Sequence, residues 1–377
     1  MKEKVVTISL MLMCILIFGG VFMFYTTRNI PGSNLIPAPV PVVSISGGND
    51  LSMVITDDGD LWVWGRNDLG QLGDGTRTNH LLPVRIMDNI VAVSTSRTII
   101  PFSVSHTSVI RSNGTLSGNG SPSIRMRNVV SVSSGASHTM AITSDSTLWG
   151  WGKNLDGQLG NGTNRNSFEP IKIMDDVIAV SAGSSHTMAI TSDGILWGWG
   201  RNFFGQLGDG TNNNSSNPMK IMDDVIAVST GTSLTMAITS DGTLWAWGRN
   251  GTPSRGASWL GDGTNEDQRR PVKIMSDVKY VSASGVRSFA ITTDGTLWGW
   301  GDNRQGELGD GTFVNRMRPV RIMDDVVSVS AGDRHALAVT SDGILWAWGN
   351  NRWGQIGNGT TDTRITPTRI MDNIKLP

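Results

Sequence analysis

GSSHTMAITSDGILWGWGRNFFGQLGDG, residues 183–210, is the stretch that decides the fold. His186–Thr191 alternates larger apolar with small or polar residues, the period of a half-buried strand. Ser192-Asp193-Gly194 then supplies hairpin-turn chemistry. Ile195–Gly200 reads as the next strand, with Trp197 and Trp199 two residues apart and therefore on one face of the sheet. Ahead of the quoted stretch, Val177–Gly183 (VIAVSAG) alternates again. Beyond it, Asn202–Asn217 has the Gly, Asn and Ser content of a loop, and Pro218–Met222 (PMKIM) reads as a fourth strand.

The same unit recurs along the chain. LWxWG stands at Leu61–Gly65, Leu148–Gly152, Leu196–Gly200, Leu244–Gly248, Leu297–Gly301 and Leu345–Gly349, and a worn copy, Leu116–Gly120, has lost both tryptophans. The closing glycines are 55, 32, 48, 48, 53 and 48 residues apart. The short step reflects the second unit, where Met126 follows Gly120 almost at once. The long steps hold extra residues near Arg97–Ser103 and Gly251–Ser258. Seven units of four short antiparallel strands predict an all-β, seven-bladed β-propeller over residues 42–377, since one such sheet cannot bury both faces alone. The paired tryptophans are expected to project toward the following blade. Two modes of ring closure stay open: residues 373–377 pairing beside residues 42–46, or the end blades meeting through side chains only.

The pattern GxxHxxAIxxDGxLWxWGxNxxGQLGxG, nearly whole in residues 183–210, resembles the repeat of the regulator of chromosome condensation (RCC1) family, and the likeness covers residues 42 to 372. The resemblance implies a circular propeller that presents loops to a protein partner. It does not carry over nucleotide exchange on a small GTPase, which in that family goes with a projecting β-wedge and a basic tail. This chain has neither. It looks more like the secreted bacterial members.

Composition agrees with a folded, non-nucleic-acid-binding domain. Charged residues are 17% of the chain, the net charge is −1, and no basic tail is present. The single cysteine, Cys14, lies in the N-terminal apolar run, so no disulfide is expected in the propeller. Val5–Tyr25 has the length of a membrane-spanning helix, with Lys2 and Lys4 before it. Residues 1–27 are read as a retained anchor that places the propeller outside the cytoplasm, with a cleaved secretory signal as the alternative. Residues 28–41 form a proline-stiffened linker.

Candidate chemistry is thin. His106, His138, His186 and His335 share one repeat position with Leu51, Leu234 and Arg287, so they are distributed round a ring rather than gathered as a metal site requires. His80 belongs to no constellation. Asp145, Asp193, Asp241, Asp294 and Asp342 sit at hairpin turns, and Asp74, Asp209, Asp262 and Asp310 precede glycine in a second turn. None pairs as glycoside hydrolysis needs, and neither cofactor nor metal is expected.

What varies between units is two residues inside NxxGQLG: Asp68-Leu69, Leu155-Asp156, Phe203-Phe204, Arg304-Gln305 and Arg352-Trp353. In the fifth unit Gly251–Leu260 brings Arg255 and Trp259. Aromatic and arginine side chains on rigid loops are favoured at binding hot spots. Phe203, Phe204, Arg255, Trp259, Arg304, Arg352 and Trp353 are therefore the candidate partner-binding set, for a protein whose identity the sequence does not give. A second variable set follows each first strand: Asn49-Asp50, Ala136-Ser137, Ser184-Ser185, Thr232-Ser233 and Asp333-Arg334. The leading expectation is a membrane-tethered protein-binding propeller without catalysis. The alternatives are an enzyme acting on cell-surface glycans and a self-associating adhesion module.

Overall fold

The computed structural model describes residues 15–18, 21–24, 45–96, 107–119, 124–251 and 256–372. In the fourth blade Val177–Ala182, His186–Thr191, Leu196–Gly200 and Ser215–Met222 pair in that order, each antiparallel to the next. The last strand begins three residues before Pro218, because register shifts after Leu196 and Gly198 bring Ser215 opposite Gly200. The loop is shorter than its composition suggested.

The same four-stranded sheet is built from residues 129–174, 225–275, 278–323 and 326–371; the four strands of residues 45–87 are extended to six by Ile15–Phe18, whose Phe18 pairs with Ile45, and Val21–Phe24. Residues 90–119 make a three-stranded second blade, in which a single bridge from Leu116 to Met126 stands where the fourth strand would run. Consecutive blades are joined by two-residue turns. The second residue of each is Asn89, Asn128, Asp176, Asp224, Asp277 or Asp325, at φ of 56 to 60°. Asn and Asp tolerate that left-handed backbone better than other side chains do.

The seven innermost strands neighbour one another in sequence order, and Val326–Ala331 lies beside Ile45–Gly47 to complete the circle. A serine on the inner strand of one blade accepts the backbone N–H of the next: Ser181 from Thr230, Ser229 from Ala283, and Ser282 from Ala331, each at 3.0 Å. Gly47 donates to Ser330 Oγ at the same distance, so the seam between blades 7 and 1 is held like the rest. Both end blades are complete without residues 373–377. Among the described residues no strand is exchanged between the end blades; residues 373–377, where the other mode of closure was expected, lie outside them.

The tryptophans face the opposite way from the expectation. Trp245 and Trp247 of the fifth blade pack on Ala179, Met188, Ile190 and Leu196 of the fourth, the preceding blade. The two indoles also differ. Trp64, Trp199, Trp247, Trp300 and Trp348, the second of each pair, are completely buried. Each donates its Nε1–H to a backbone carbonyl of the preceding blade: Gln355, Gln158, Gln206, Trp259 and Glu307 respectively. The first of each pair is half-buried, and Trp149, Trp197, Trp245, Trp298 and Trp346 bond within their own blades, as Trp197 does to Thr191 Oγ1 at 3.1 Å. Trp151 is the informative exception. It is only half-buried, because the second blade has too few residues to form the covering GQLG turn.

The expected helix over residues 5–25 is not what the described part of that run adopts. Ile15–Phe18 and Val21–Phe24 pair as antiparallel strands, and the rest of the run lies outside the described residues. Ile, Val and Phe favour strands, and the Gly19-Gly20 between them is a hairpin signal that competes with the apolar-helix reading. No helix among the described residues is long and apolar enough to cross a membrane.

Candidate partner-binding face

The buried Asn of each NxxGQLG turn holds the loop from within. Asn202 Nδ2 donates to Asp209 Oδ1 at 2.9 Å, and its Oδ1 accepts the N–H of Leu207 at 2.9 Å. Asn67, Asn154, Asn303 and Asn351 repeat this pair of bonds. The Gln side chain adds a further tie: Gln206 Oε1 accepts the N–H of Phe204 at 2.9 Å. The LGDG aspartates are thus acceptors for the turn's own asparagine. Glycine is required after Leu207 because Gly208, at φ +86°, lies against the Trp247 indole of the next blade, where a Cβ would come within 2.7 Å of Nε1.

With both ends pinned, the two variable side chains take distinct roles. The first points to solvent: Asp68, Leu155, Phe203, Arg304 and Arg352 are all exposed, Leu155 at 69% and Phe203 at 59%. The second leans on the following blade wherever that blade supplies a partner; Leu69, 51% exposed, is the exception. The Arg249 guanidinium lies 4.6 Å from the centroid of the Phe204 ring, and that of Arg66 lies 4.9 Å from the centroid of Trp353. Asn350 Nδ2 donates to Gln305 Oε1 at 2.7 Å. Phe204 and Trp353 are accordingly half-buried bridges between blades. Trp259 is 5% exposed and takes the place of the turn's Gln, its carbonyl accepting from Trp300 and from Ser288 Oγ. It is packed, not presented, because the enlarged fifth loop folds Ser258 back onto Asn250 at 2.8 Å. Arg255 lies outside the described residues.

Both variable sets lie on one face of the disc. The residue after each LWxWG strand donates its N–H to the loop after the first strand, as Arg201 does to Ser185 O and Arg249 to Ser233 O, both at 2.8 Å. Thr95, Ser134, Ala136, Ser184 and Thr232, from the second to fifth blades, line one small pocket together. Asp50 is buried on the same face, 3.7 Å from Arg66 and 4.0 Å from Arg334, and burial raises its carboxyl pKa against the pull of the two arginines.

Beneath this face lies a bonded layer that accounts for the histidines. Thr187 Oγ1 donates to Gln158 O at 2.8 Å and so accepts from His138 Nε2 at 2.9 Å; Thr235 does the same for Gln206 and His186. Ser52 links Gln355 and His335 across the seam. Burial pushes His138 and His335 down to about 3 and His186 to about 4, so the imidazoles are neutral structural donors. His106 lies outside the described residues. His80, given no role from the sequence, bonds Asp74 Oδ2 at 2.6 Å. Burial alone would raise Asp74, but hydrogen bonds from His80, Thr76 and Asn67 hold it well below the usual carboxylate range.

In the sixth blade this layer is rewritten. Arg287 replaces histidine, and Glu307 replaces the turn's glutamine. Arg287 Nη2 donates to Glu307 Oε1 at 2.8 Å, with both side chains buried. The paired exchange stands in the aligned repeats, since the unit that reads Arg at the His position is the unit that reads GELG. It was not read there because the two positions lie 20 residues apart. Among the described residues no group of three or more His, Cys, Asp or Glu could hold a metal.

A closed ring of seven like blades with a variable rim on one face defines the architectural class. The chain belongs to the RCC1-like domain family, which matches residues 119–376, with RCC1 repeats matching at 58–99 and 42–71. It is 32% identical over 145 residues to the ultraviolet-B receptor UVR8 of Arabidopsis thaliana, covering 33% of this chain and 32% of the receptor. It is 30% identical over 165 residues to the mitochondrial RCC1 domain-containing protein RUG3 of the same plant, covering 36% of each. These matches span about a third of either relative's length. Yeast RCC1 (Prp20), crystallised with Kap60, superposes with a TM-score of 0.70 at 17% identity, covering 93% of this chain and 91% of the yeast chain. Human WBSCR16 superposes at 0.59 with 23% identity, covering 92% and 88%.

Proposed function

We propose that this chain is an exported, membrane-tethered propeller that binds a protein partner through the face carrying the NxxG turns, and that it acts by binding rather than by catalysis. The observation that carries this reading is the row of exposed, mutually unlike side chains, Leu155, Phe203, Arg304 and Arg352, on turns whose backbone is fixed by a buried Asn together with Gln or, in the sixth blade, Glu. A rigid frame with interchangeable tips lets specificity change without loss of fold, and pre-ordering the tips lowers the entropy lost on binding. Yeast RCC1 held by Kap60 is an instance of a similar fold engaged with a protein. The tether rests on the sequence alone: an apolar run of spanning length after Lys2 and Lys4, then a proline-rich spacer.

A photo-crosslinking residue placed at position 203 or 352 of the full chain in its own cells tests the face. Both positions should trap the same protein, and position 168, which is exposed on an outer strand, should not. Absence of a common adduct from 203 and 352 sinks the assignment. Salt-resistant retention in the membrane fraction, with the propeller open to protease added outside intact cells, is the result expected for the tether.

A further inference from the structure

The hairpin-turn side of the disc repeatedly matches outer-strand cations to carboxylates. Lys172 pairs with Asp175 and Lys220 with Asp223, three residues on in each case, and Arg321 and Arg369 do the same with Asp324 and Asp372. Asp175 and Asp324 also accept from Thr147 and Thr296 beside the hairpin turns. The NxxG face, at the other end of the strands, differs. Arg304, Arg334 and Arg352 are exposed there, Arg334 at 51%. Among the described residues none of these three guanidinium groups donates a hydrogen bond, and the one carboxylate within ion-pair reach is Asp50, 4.0 Å from Arg334. The neighbouring acids are turned inward: Asp50 and Asp302 are buried, and both carboxylate oxygens of Asp333 are covered.

The turns that carry these arginines are fixed to one another. Asn350 stands where other blades read Arg66, Lys153, Arg201 or Arg249. Its Nδ2 donates to Gln305 Oε1 of the sixth blade at 2.7 Å, and its Oδ1 accepts the N–H of Arg352 at 3.1 Å. Its own N–H donates to Arg334 O at 2.9 Å. The Arg352 guanidinium lies 5.3 Å from the centroid of the Trp353 ring, a contact that limits its rotamer freedom while leaving its charge in place. Arg66 meets the same indole but is committed to Asp68 through Nε and Nη2. A cationic arc therefore runs over the sixth and seventh blades and ends at Asp68 of the first. The third and fourth blades present apolar Leu155 and Phe203 instead.

We infer that this arc receives an acidic segment of the protein partner, whose carboxylates are taken by Arg304, Arg334 and Arg352. The inference rests on the reading of the NxxG face as the binding face and adds the partner's chemistry: glutamate or aspartate over the sixth and seventh blades. A guanidinium fork matches a carboxylate bidentately, and charge matching of this kind speeds encounter and rejects cationic partners. The net charge of −1 disfavours a phosphate backbone, whose binding draws on a broad basic surface.

The test uses the full chain in a non-ionic detergent and a dye-labelled octapeptide alternating Glu and Ser, read by fluorescence anisotropy. A Kd below about 1 mM is expected at low salt, weakening as salt is raised. Affinity should fall about tenfold or more in the double variant Arg304→Glu, Arg352→Glu, and should not change in Lys220→Glu on the opposite side of the disc. Arg334→Ala should also weaken binding, a second readout should the double variant fold poorly. Unchanged affinity in the folded arginine variants, an equal loss in Lys220→Glu, or no binding at about 1 mM would each overturn the proposal. Equal binding of a Lys-for-Glu peptide, or of an oligothymidylate of the same length, would overturn it too. Peptide binding that needs the arginines, without a common adduct from positions 203 and 352, upholds the acidic site and counts against the face reading alone. The common adduct without peptide binding counts against the acidic site alone.

Discussion

Arg287 and Glu307 form a buried ion pair at 2.8 Å in the sixth blade, where Arg stands for the repeat's His and Glu for its Gln. Glu307 keeps the turn-pinning duty of the glutamine, its Oε2 accepting the N–H of Gln305 at 2.8 Å, while Arg287 Nη1 reaches the carbonyls of Gly332 and Asp333 in the next blade. The exchange swaps a neutral bonded layer for a charged one without altering the turn.

Breaking that pair from one side strands a buried charge. Glu307→Gln should cost about 3–5 kcal/mol. The double variant Arg287→His, Glu307→Gln, which restores the residues of the third, fourth and seventh blades, should recover most of the loss. Urea unfolding of the two variants checks this, and equal stability of the single and double variants would refute it.

The neutral histidines make stability depend on pH. His138, His186 and His335 sit at about 3 to 4 when folded, below the ordinary 6.5 they regain on unfolding. The unfolded chain therefore takes up protons first, so stability is whole above pH 6.5 and declines as pH falls below it. The slope is up to about 1.4 kcal/mol per pH unit for each histidine. Urea midpoints between pH 7 and 5 should show the fall, and His186→Gln should make it shallower by one residue's share.

The two kinds of indole should respond differently to the same change. Trp199→Phe removes a buried donor from Gln158 O and leaves space in a closed layer, a loss of about 2 kcal/mol or more. Trp151→Phe, half-buried with no covering turn, should cost less than about 1 kcal/mol. Matching losses in denaturant titrations would contradict the assignment of Trp199 as the interblade bond.

Within the candidate set, Trp259→Ala should cost about 3–5 kcal/mol as a core deletion. Phe203→Ala and Arg352→Ala should stay within about 0.5 kcal/mol, as expected of surface positions. Melting curves of the three variants separate packing from presentation before any partner is in hand.

The repeat made the architecture readable, because LWxWG, SDG and NxxGQLG each mark a strand or turn through local chemistry. Orientation was not readable in the same way. The spacing of Trp197 and Trp199 says that they share a face, but which neighbour that face meets depends on how the chain winds round the axis. The variable pair of each turn was legible as a pair; its split into one solvent-facing and one bridging residue was not. That split depends on Arg249 and Arg66 arriving from the next blade. Within the apolar run at residues 5–25, read as a helix from its length, Ile15–Phe18 and Val21–Phe24 pair as strands, which composition does not distinguish from a helix; the rest of the run lies outside the described residues.

Because, among the described residues, no strand is traded between the first and last blades, the circle is fastened at that seam by a serine-to-backbone bond of the same kind as at other joints. Tension applied through residue 45, as a tether would apply it, reaches the Gly47–Ser330 and Trp64–Gln355 bonds that join the first blade to the seventh. Under force the ring would part at that seam and peel blade by blade, while the same molecule in free solution would melt as one.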